Sequence, residues 1–259
     1  MWAEMPPKPQ DSAAMLYLDL LKQTLSGTIL EDVGFMPGNP PPSVPPIYDR
    51  ELRLRGRDWP SHAHTMIGLM RLGHLRKLIT QVLAEEIPGA FIETGVWRGG
   101  ACIFMRAVLA AHGVTDRRVW VADSFQGLPA PNLELYPDDI GSALHQVQYL
   151  AVSLDEVKEN FAKYNMLDDQ VMFLKGWFKD TAPIEKLAIL RLDGDLYEST
   201  MQALQSLYHK LTPGGFVIID DYRDMPGCRK AVDDFRARNT ITDALEDIDS
   251  QASFWRKQA

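Results

Sequence analysis

The chain has 259 residues, 46% of them hydrophobic and 24% charged, which suits one α/β domain with an appendage. Its net charge of -8 argues against a partner gripped through nucleic-acid phosphates, which needs a basic face. No apolar run reaches the length of a membrane span, and Met1 to Lys8 carry neither an apolar core nor a basic leader, so a cytoplasmic protein is expected.

Ser12 to Leu25, which carries Met15, Leu16, Leu18, Leu20, Leu21 and Leu25 with Lys22 and Gln23, reads as an amphipathic helix. Six prolines among the eleven residues Met36 to Pro46 exclude helix and central strand. That stretch reads either as a surface linker or as a lid that orders over a ligand. Residues 1–60 are thus expected to form a helical, proline-rich extension, and residues 61–259 the main domain. Arg53, Arg55 and Arg57 read as a solvated basic connector. From His62 to Glu86 the apolar residues recur at helical spacing, until Pro88-Gly89 stops the helix. His62 and His64, one residue apart at its start, point in different directions and are not read as a metal pair.

Strands and helices then alternate. Strands are expected at Ala90–Thr94, Arg118–Ala122, Gln170–Leu174, Leu187–Leu192 and Phe216–Ile219, with helices at Gly99–His112, Ser153–Tyr164, Tyr197–Leu211 and Pro226–Arg238. Ser153 with Glu156 three residues on is a capping box. Residues 128–150 are irregular, and the tail offers two closing antiparallel strands near residues 244–248 and 253–257. Strands spaced by helices imply a parallel sheet covered on both faces. Cys102 and Cys228 fall in separate helices, so neither a disulfide framework nor a zinc site is expected.

Four strand ends carry chemistry. Leu187-Ala-Ile-Leu-Arg-Leu ends in Asp193-Gly-Asp195, and Phe216-Val-Ile-Ile ends in Asp220-Asp221. Carboxylates gathered at one sheet edge repel one another unless they share a cation, which points to a hard-metal site. Glu93-Thr-Gly-Val-Trp-Arg-Gly-Gly100 joins a strand to a helix, a place for a ligand close to the backbone. Its glycine spacing is not that of a dinucleotide site, and Glu93 would repel a pyrophosphate but suit a cationic amino-acid group. Asp123, one βαβ unit further on, is placed to accept ribose hydroxyls. Together they indicate a nucleoside with a positively charged amino-acid tail.

With these motifs, and with Ala63-His-Thr-Met-Ile-Gly68, Val119-Trp-Val-Ala-Asp-Ser-Phe-Gln-Gly127 and Gly176-Trp-Phe-Lys-Asp-Thr181, the sequence resembles the macrocin O-methyltransferase family of class I S-adenosylmethionine-dependent methyltransferases. The resemblance implies a Rossmann-like, mostly parallel seven-stranded sheet with helices on both faces. It also implies Mg2+, a homo-oligomer and a small glycosylated acceptor whose deoxysugar hydroxyl is methylated. It places Glu93 and Gly95, with Thr94 and Val96, on the methionine part of the co-substrate and Asp123 on the ribose. Ser124, Gly176, Trp177 and Phe178 border the adenine, and Thr65 and Met66 lie nearby. Asp193, Asp220 and Asp221 match a magnesium triad. Asp195 is the candidate base, with Asp193 as the alternative, and His145, Tyr197 and Tyr222 are candidate acceptor contacts. A catechol acceptor, which also chelates a metal through two adjacent oxygens, and a non-catalytic cofactor-binding scaffold are the competing readings.

Overall fold

Runs such as Leu187–Leu192 are apolar at nearly every position, as a strand covered on both faces must be. The computed structural model describes residues 9–36, 46–178 and 183–258. In chain order the elements are α1 (Pro9–Leu25), β1 (Gly34–Phe35), α2 (Arg50–Arg55), β2 (Trp59–Pro60), α3 (Gly68–Ala84), β3 (Ala90–Thr94), α4 (Gly100–Ala111) and β4 (Val119–Asp123). They continue with α5 (Leu154–Lys163), β5 (Val171–Lys175), β6 (Leu187–Leu192), α6 (Tyr197–Leu207), β7 (Leu211–Ile219), α7 (Pro226–Arg238), β8 (Glu246–Asp247) and β9 (Ser253–Arg256). The main sheet has seven strands in the order β5-β4-β3-β6-β7-β9-β8. β3 to β7 run parallel, whereas β9 pairs antiparallel with β7 and β8 with β9.

Alternation along each strand divides the core. Ile92, Leu190, Leu192, Val217 and Ile219 pack with residues of α6 and α7. Phe91, Val121, Ile189 and Ile218 face the other way, under α3 and α4, and Leu18, Leu21 and Leu25 of α1 join that cluster. The N-terminal helix is therefore part of the core. Most of the proline-rich stretch, residues 37–45, lies outside the described residues, as do residues 179–182 of the loop after Phe178.

Three local expectations need correction. The third helix begins at Gly68, not at His62. Gly68 has φ +72, and a Cβ there would lie 2.4 Å from the Gly56 nitrogen; upstream, the amides of His62 and Ala63 are taken by the Asp32 carboxylate. α6 stops at Leu207, and β7 already starts at Leu211, with a register shift before Ile189 and Phe216 pair, so Thr212–Gly215 lie inside the strand. The supposed basic connector is a short helix whose Arg53 is 1% exposed, bonded to Asp58 and to the carbonyls of Ser26 and Asp32.

Candidate active site

The strand order reverses between β3 and β6, and in open α/β sheets the crevice outside such a switch point takes ligands. Backbone bonds of 2.9 Å carry the ladder one residue past the strand ends: Gly95 donates to Ala122, Asp193 to Thr94, and Asp220 to Leu192. This registers Asp123, Gly95, Asp193 and Asp220 in one row. Gly95, at φ +80, is forced by that row, since a Cβ there would come within 1.7 Å of the Asp193 carbonyl oxygen. The glycine makes room for the neighbouring strand rather than for a ligand directly. Trp97, Phe125 and Asp195, just beyond β3, β4 and β6, also have positive φ of 49°, 56° and 57°. Non-glycine residues in the left-handed region are costly and concentrate at functional sites.

A cavity of about 250 Å³ opens over the row. Of the residues singled out by sequence, Thr65, Met66, Glu93, Gly95, Val96, Asp123, Ser124, Trp177, Phe178, Asp193, Asp195, Asp220 and Asp221 all line it. Thr94 is buried behind the wall, its carbonyl holding the Asp193 amide, and Gly176 continues the ladder to the Asp123 carbonyl; neither forms the cavity surface. The structure does not bring His145, Tyr197 or Tyr222 to the cavity. His145 is exposed on a 3-10 turn, while the hydroxyls of Tyr197 and Tyr222 donate to Asp234 and Asp233 of α7.

Asp123 is fixed by the glycine loop and by its own turn: Oδ2 accepts from the Val96 amide at 2.8 Å and Oδ1 from the Phe125 amide at 2.7 Å. Burial pushes its pKa up, against the pull of these bonds. Glu93 is held by Arg191, its register partner on β6, and by the Cys102 thiol, which donates at 3.0 Å. The Arg191 guanidinium also reaches Asp193, at 2.8 Å, and Asp220. Arg71 of α3 takes the other Asp220 oxygen and donates to the carbonyl of Gly56 and the side chain of Gln251. Two arginines thus hold part of an acidic cluster in place.

Beyond them, next to Asp193, lie two acids without such partners, Asp195 and Asp221. Asp193, Asp195 and Asp221 present oxygens that all lie within 4.8 Å of one another. Among the described residues neither Asp195 nor Asp221 forms an ion pair, and Asp221 accepts only a 3.3 Å bond from the Asp195 amide. Burial first, then the repulsion of a neighbouring carboxylate, Asp220 for Asp193, Asp193 for Asp195 and Asp195 for Asp221, raises the pKa of all three. Hard oxygen donors crowded in this way fit a divalent cation such as Mg2+, which neutralises what the arginines leave over. Of the expected triad, Asp193 and Asp221 lie in this close trio with Asp195, and Asp220 stands beside it in its arginine clamp.

Sequence reasoning missed Arg71 and Arg191. A signal was available for both: Arg191 interrupts an otherwise apolar buried strand, and Arg71 falls on the helical face of Leu75 and Leu78. Trp59 of β2, Met225 and Gln251, also on the cavity wall, come from segments far apart in the chain, and no local pattern marks them.

The macrocin-O-methyltransferase (TylF) family profile matches residues 14–257. The chain is 50% identical over 254 residues to the demethyldecarbamoylnovobiocin O-methyltransferase of Streptomyces niveus, covering 96% of each. It is 52% identical to an 8-demethyl-8-(2,3-dimethoxy-alpha-L-rhamnosyl)-tetracenomycin-C 4'-O-methyltransferase of Streptomyces olivaceus, covering 96% of this chain and 95% of that one. Identity to the mycinamicin III 3''-O-methyltransferase of Micromonospora griseorubida is 49%, over 94% of this chain and 97% of the relative. Among solved structures, the O-methyltransferase NovP superimposes with a TM-score of 0.89 at 50% identity, covering 95% of this chain and all of that one. The calicheamicin methyltransferase CalS11, at 20% identity and a TM-score of 0.59, shares the fold.

Proposed function

The chain belongs to the macrocin O-methyltransferase family of S-adenosylmethionine-dependent enzymes, and we propose that it methylates a sugar hydroxyl of a glycosylated natural product with the help of Mg2+. The observation that carries this reading is the trio Asp193, Asp195 and Asp221 beside a cavity that also holds Glu93, Gly95 and Asp123. An electrophile-binding end and an acidic end share one space.

Each residue then has a task. Glu93, held in place by Arg191 and Cys102, presents its carboxyl to the ammonium of the co-substrate, whose positive charge favours the ionised form against the burial that pushes the Glu93 pKa up to about 7. Asp123, fixed by backbone amides, has lone pairs left for ribose hydroxyls. Ser124, Trp177 and Phe178 border the base, and Thr65, Met66 and Val96 close the wall around the methionine part. Asp193 and Asp221 hold the magnesium ion, and Asp220 has lone pairs that its arginines leave free to join them. Bound there, the ion would supply Lewis acidity that lowers the pKa of the acceptor hydroxyl. Asp195, unpaired and on the cavity wall, takes the hydroxyl proton on its carboxylate as the methyl group arrives. Orientation of the two reactants is the larger contribution, since a sulfonium is already a strong electrophile.

The test is an acceptor panel of glycosylated aminocoumarins, tetracenomycins and macrolides, with simple catechols beside them. Mass spectrometry of the fragmented product is expected to find the added methyl on the sugar. Methylation of catechols alone, or of an aglycone hydroxyl, would overturn the sugar assignment.

A further inference from the structure

α6 begins at Tyr197, two residues after Asp195, and its own cap position, Leu196, offers no side-chain acceptor. The cap comes from elsewhere in the chain. Asp139, 3% exposed, lies on the Pro137–Asp139 turn; its Oδ1 accepts from the Tyr197 amide at 2.6 Å and its Oδ2 from the Glu198 amide at 3.2 Å. A carboxylate bonded to the first amides of a helix satisfies donors that have no intrahelical partner and sits at the favourable end of the helix dipole. The approach depends on Gly227 in the first turn of α7, where a Cβ would lie 2.7 Å from Asp139 Oδ1 and 3.1 Å from the Tyr197 nitrogen.

The segment that carries Asp139 is also the segment that walls the cavity. Leu128, Pro129, Leu144 and Leu150, from either side of the turn, line it. Asp195, meanwhile, holds a left-handed backbone at φ +57, a conformation that persists only if its surroundings fix it. On its C-terminal side it is followed at once by the α6 terminus. We infer that Asp139 is a positioning residue, a cap in trans that fixes the Asp193–Tyr197 turn and docks the cavity wall of residues 128–150 onto it. The bond makes the geometry of the acidic site and the shape of the acceptor side one mechanical unit. The inference rests on the reading of Asp195 as the base.

The test compares Asp139→Ala, Asp139→Asn, Gly227→Ala and Asp195→Asn, using the acceptor turned over fastest in the panel above. In Asp139→Ala, kcat is expected to fall by about 10²-fold, the usual cost of an ångström of misplacement, while S-adenosylmethionine affinity by calorimetry stays at the wild-type value. Asp139→Asn keeps an accepting oxygen and restores most of kcat. Gly227→Ala, which touches neither cavity nor co-substrate, reproduces the Asp139→Ala pattern. In the free proteins, hydrogen–deuterium exchange in peptides spanning residues 194–200 is faster for Asp139→Ala and Gly227→Ala and near wild type for Asp139→Asn. Wild-type kcat in Asp139→Ala with an inactive Asp195→Asn overturns the positioning role alone. Wild-type kcat in Asp195→Asn overturns the base assignment beneath it. A kcat loss in Asp139→Ala that comes with an equal loss of co-substrate affinity, and that Asn does not rescue, makes Asp139 an ordinary fold residue and also overturns the inference.

Discussion

Gly95 and Asp193 meet across the β3–β6 boundary so closely that the glycine has no substitute. A Cβ would collide with the Asp193 carbonyl oxygen and would be strained at φ +80 as well. Gly95→Ala is therefore expected to cost more than about 1 kcal/mol of stability, seen as a lower urea midpoint, and to weaken S-adenosylmethionine binding by calorimetry. A variant with unchanged midpoint and affinity would show that the two strand ends can part without consequence. The carboxylates beyond it divide by partner. Asp220 is clamped by Arg71 and Arg191, whereas Asp195 forms no ion pair among the described residues. Asp195→Asn should keep co-substrate affinity and lose turnover; Asp193→Asn and Asp221→Asn should in addition lose the calorimetric signal of Mg2+ binding. Wild-type turnover in Asp195→Asn would remove it from the role of base. The acids at the strand ends were legible in sequence because charge at the end of an apolar run is conspicuous. The division of labour among them was not, because it depends on two arginines that approach from other elements.

At the scale of the element, the N-terminal extension is more than a cover. Arg53 and Asp58 form an ion pair, both side chains nearly inaccessible, which ties the turn after α1 to the short α2 helix. Truncating one partner leaves the other buried and uncompensated, so Arg53→Met is expected to cost about 3–5 kcal/mol in urea unfolding. A loss no larger than for an exposed arginine such as Arg55 would contradict that role. On sequence this helix read as a solvated connector, because alternating leucine and arginine says nothing of which face is covered until the packing is known. α3 carries a half-buried titratable group. The His74 ring lies 4.5 Å from that of Phe254, tilted by 60°, and its buried Nδ1 has no hydrogen-bond partner among the described residues. Burial, then the charge of Lys77, pushes the His74 pKa down to about 4. Unfolded, it takes a proton near the ordinary value of about 6.5. The unfolded chain thus binds more protons between these values, and the stability this histidine contributes is present above pH 6.5 and is lost as pH falls towards 4. The acids of the site shift in the opposite sense, so the measurement is a difference: the fall in urea midpoint from pH 7 to pH 5 should be smaller in His74→Leu than in wild type. An equal fall in both would contradict a neutral, half-buried His74.

For the whole molecule, strand alternation, helix spacing and turn residues were enough to lay out five parallel strands with two antiparallel ones closing the edge. Each strand's burial pattern follows from local sequence, and the right-handed crossovers leave few arrangements. What sequence could not show is the row of β3, β4, β6 and β7 ends in register, since register is settled by packing of the whole sheet. Nor could it show that α1 belongs to the core, or that a turn at Asp139 caps a helix fifty-odd positions onward. Contacts between distant segments shape the cavity wall at residues 128–150, while Glu93, Gly95 and Asp123 come from contiguous strand–loop–helix motifs. That is why the latter group could be placed at the cavity from sequence, whereas His145, Tyr197 and Tyr222 lie away from it. Among the described residues no helix is long and apolar enough to cross a membrane.

On the proposed reading, methyl transfer to the sugar needs a divalent cation held by Asp193 and Asp221 beside the base Asp195. The most direct measurement follows methyl transfer to the preferred acceptor after EDTA treatment, then with Mg2+ restored, alongside calorimetry of S-adenosylmethionine in both states. The expected result is co-substrate binding in chelator without turnover, and recovery of turnover on adding Mg2+. Full turnover in chelator would contradict the account.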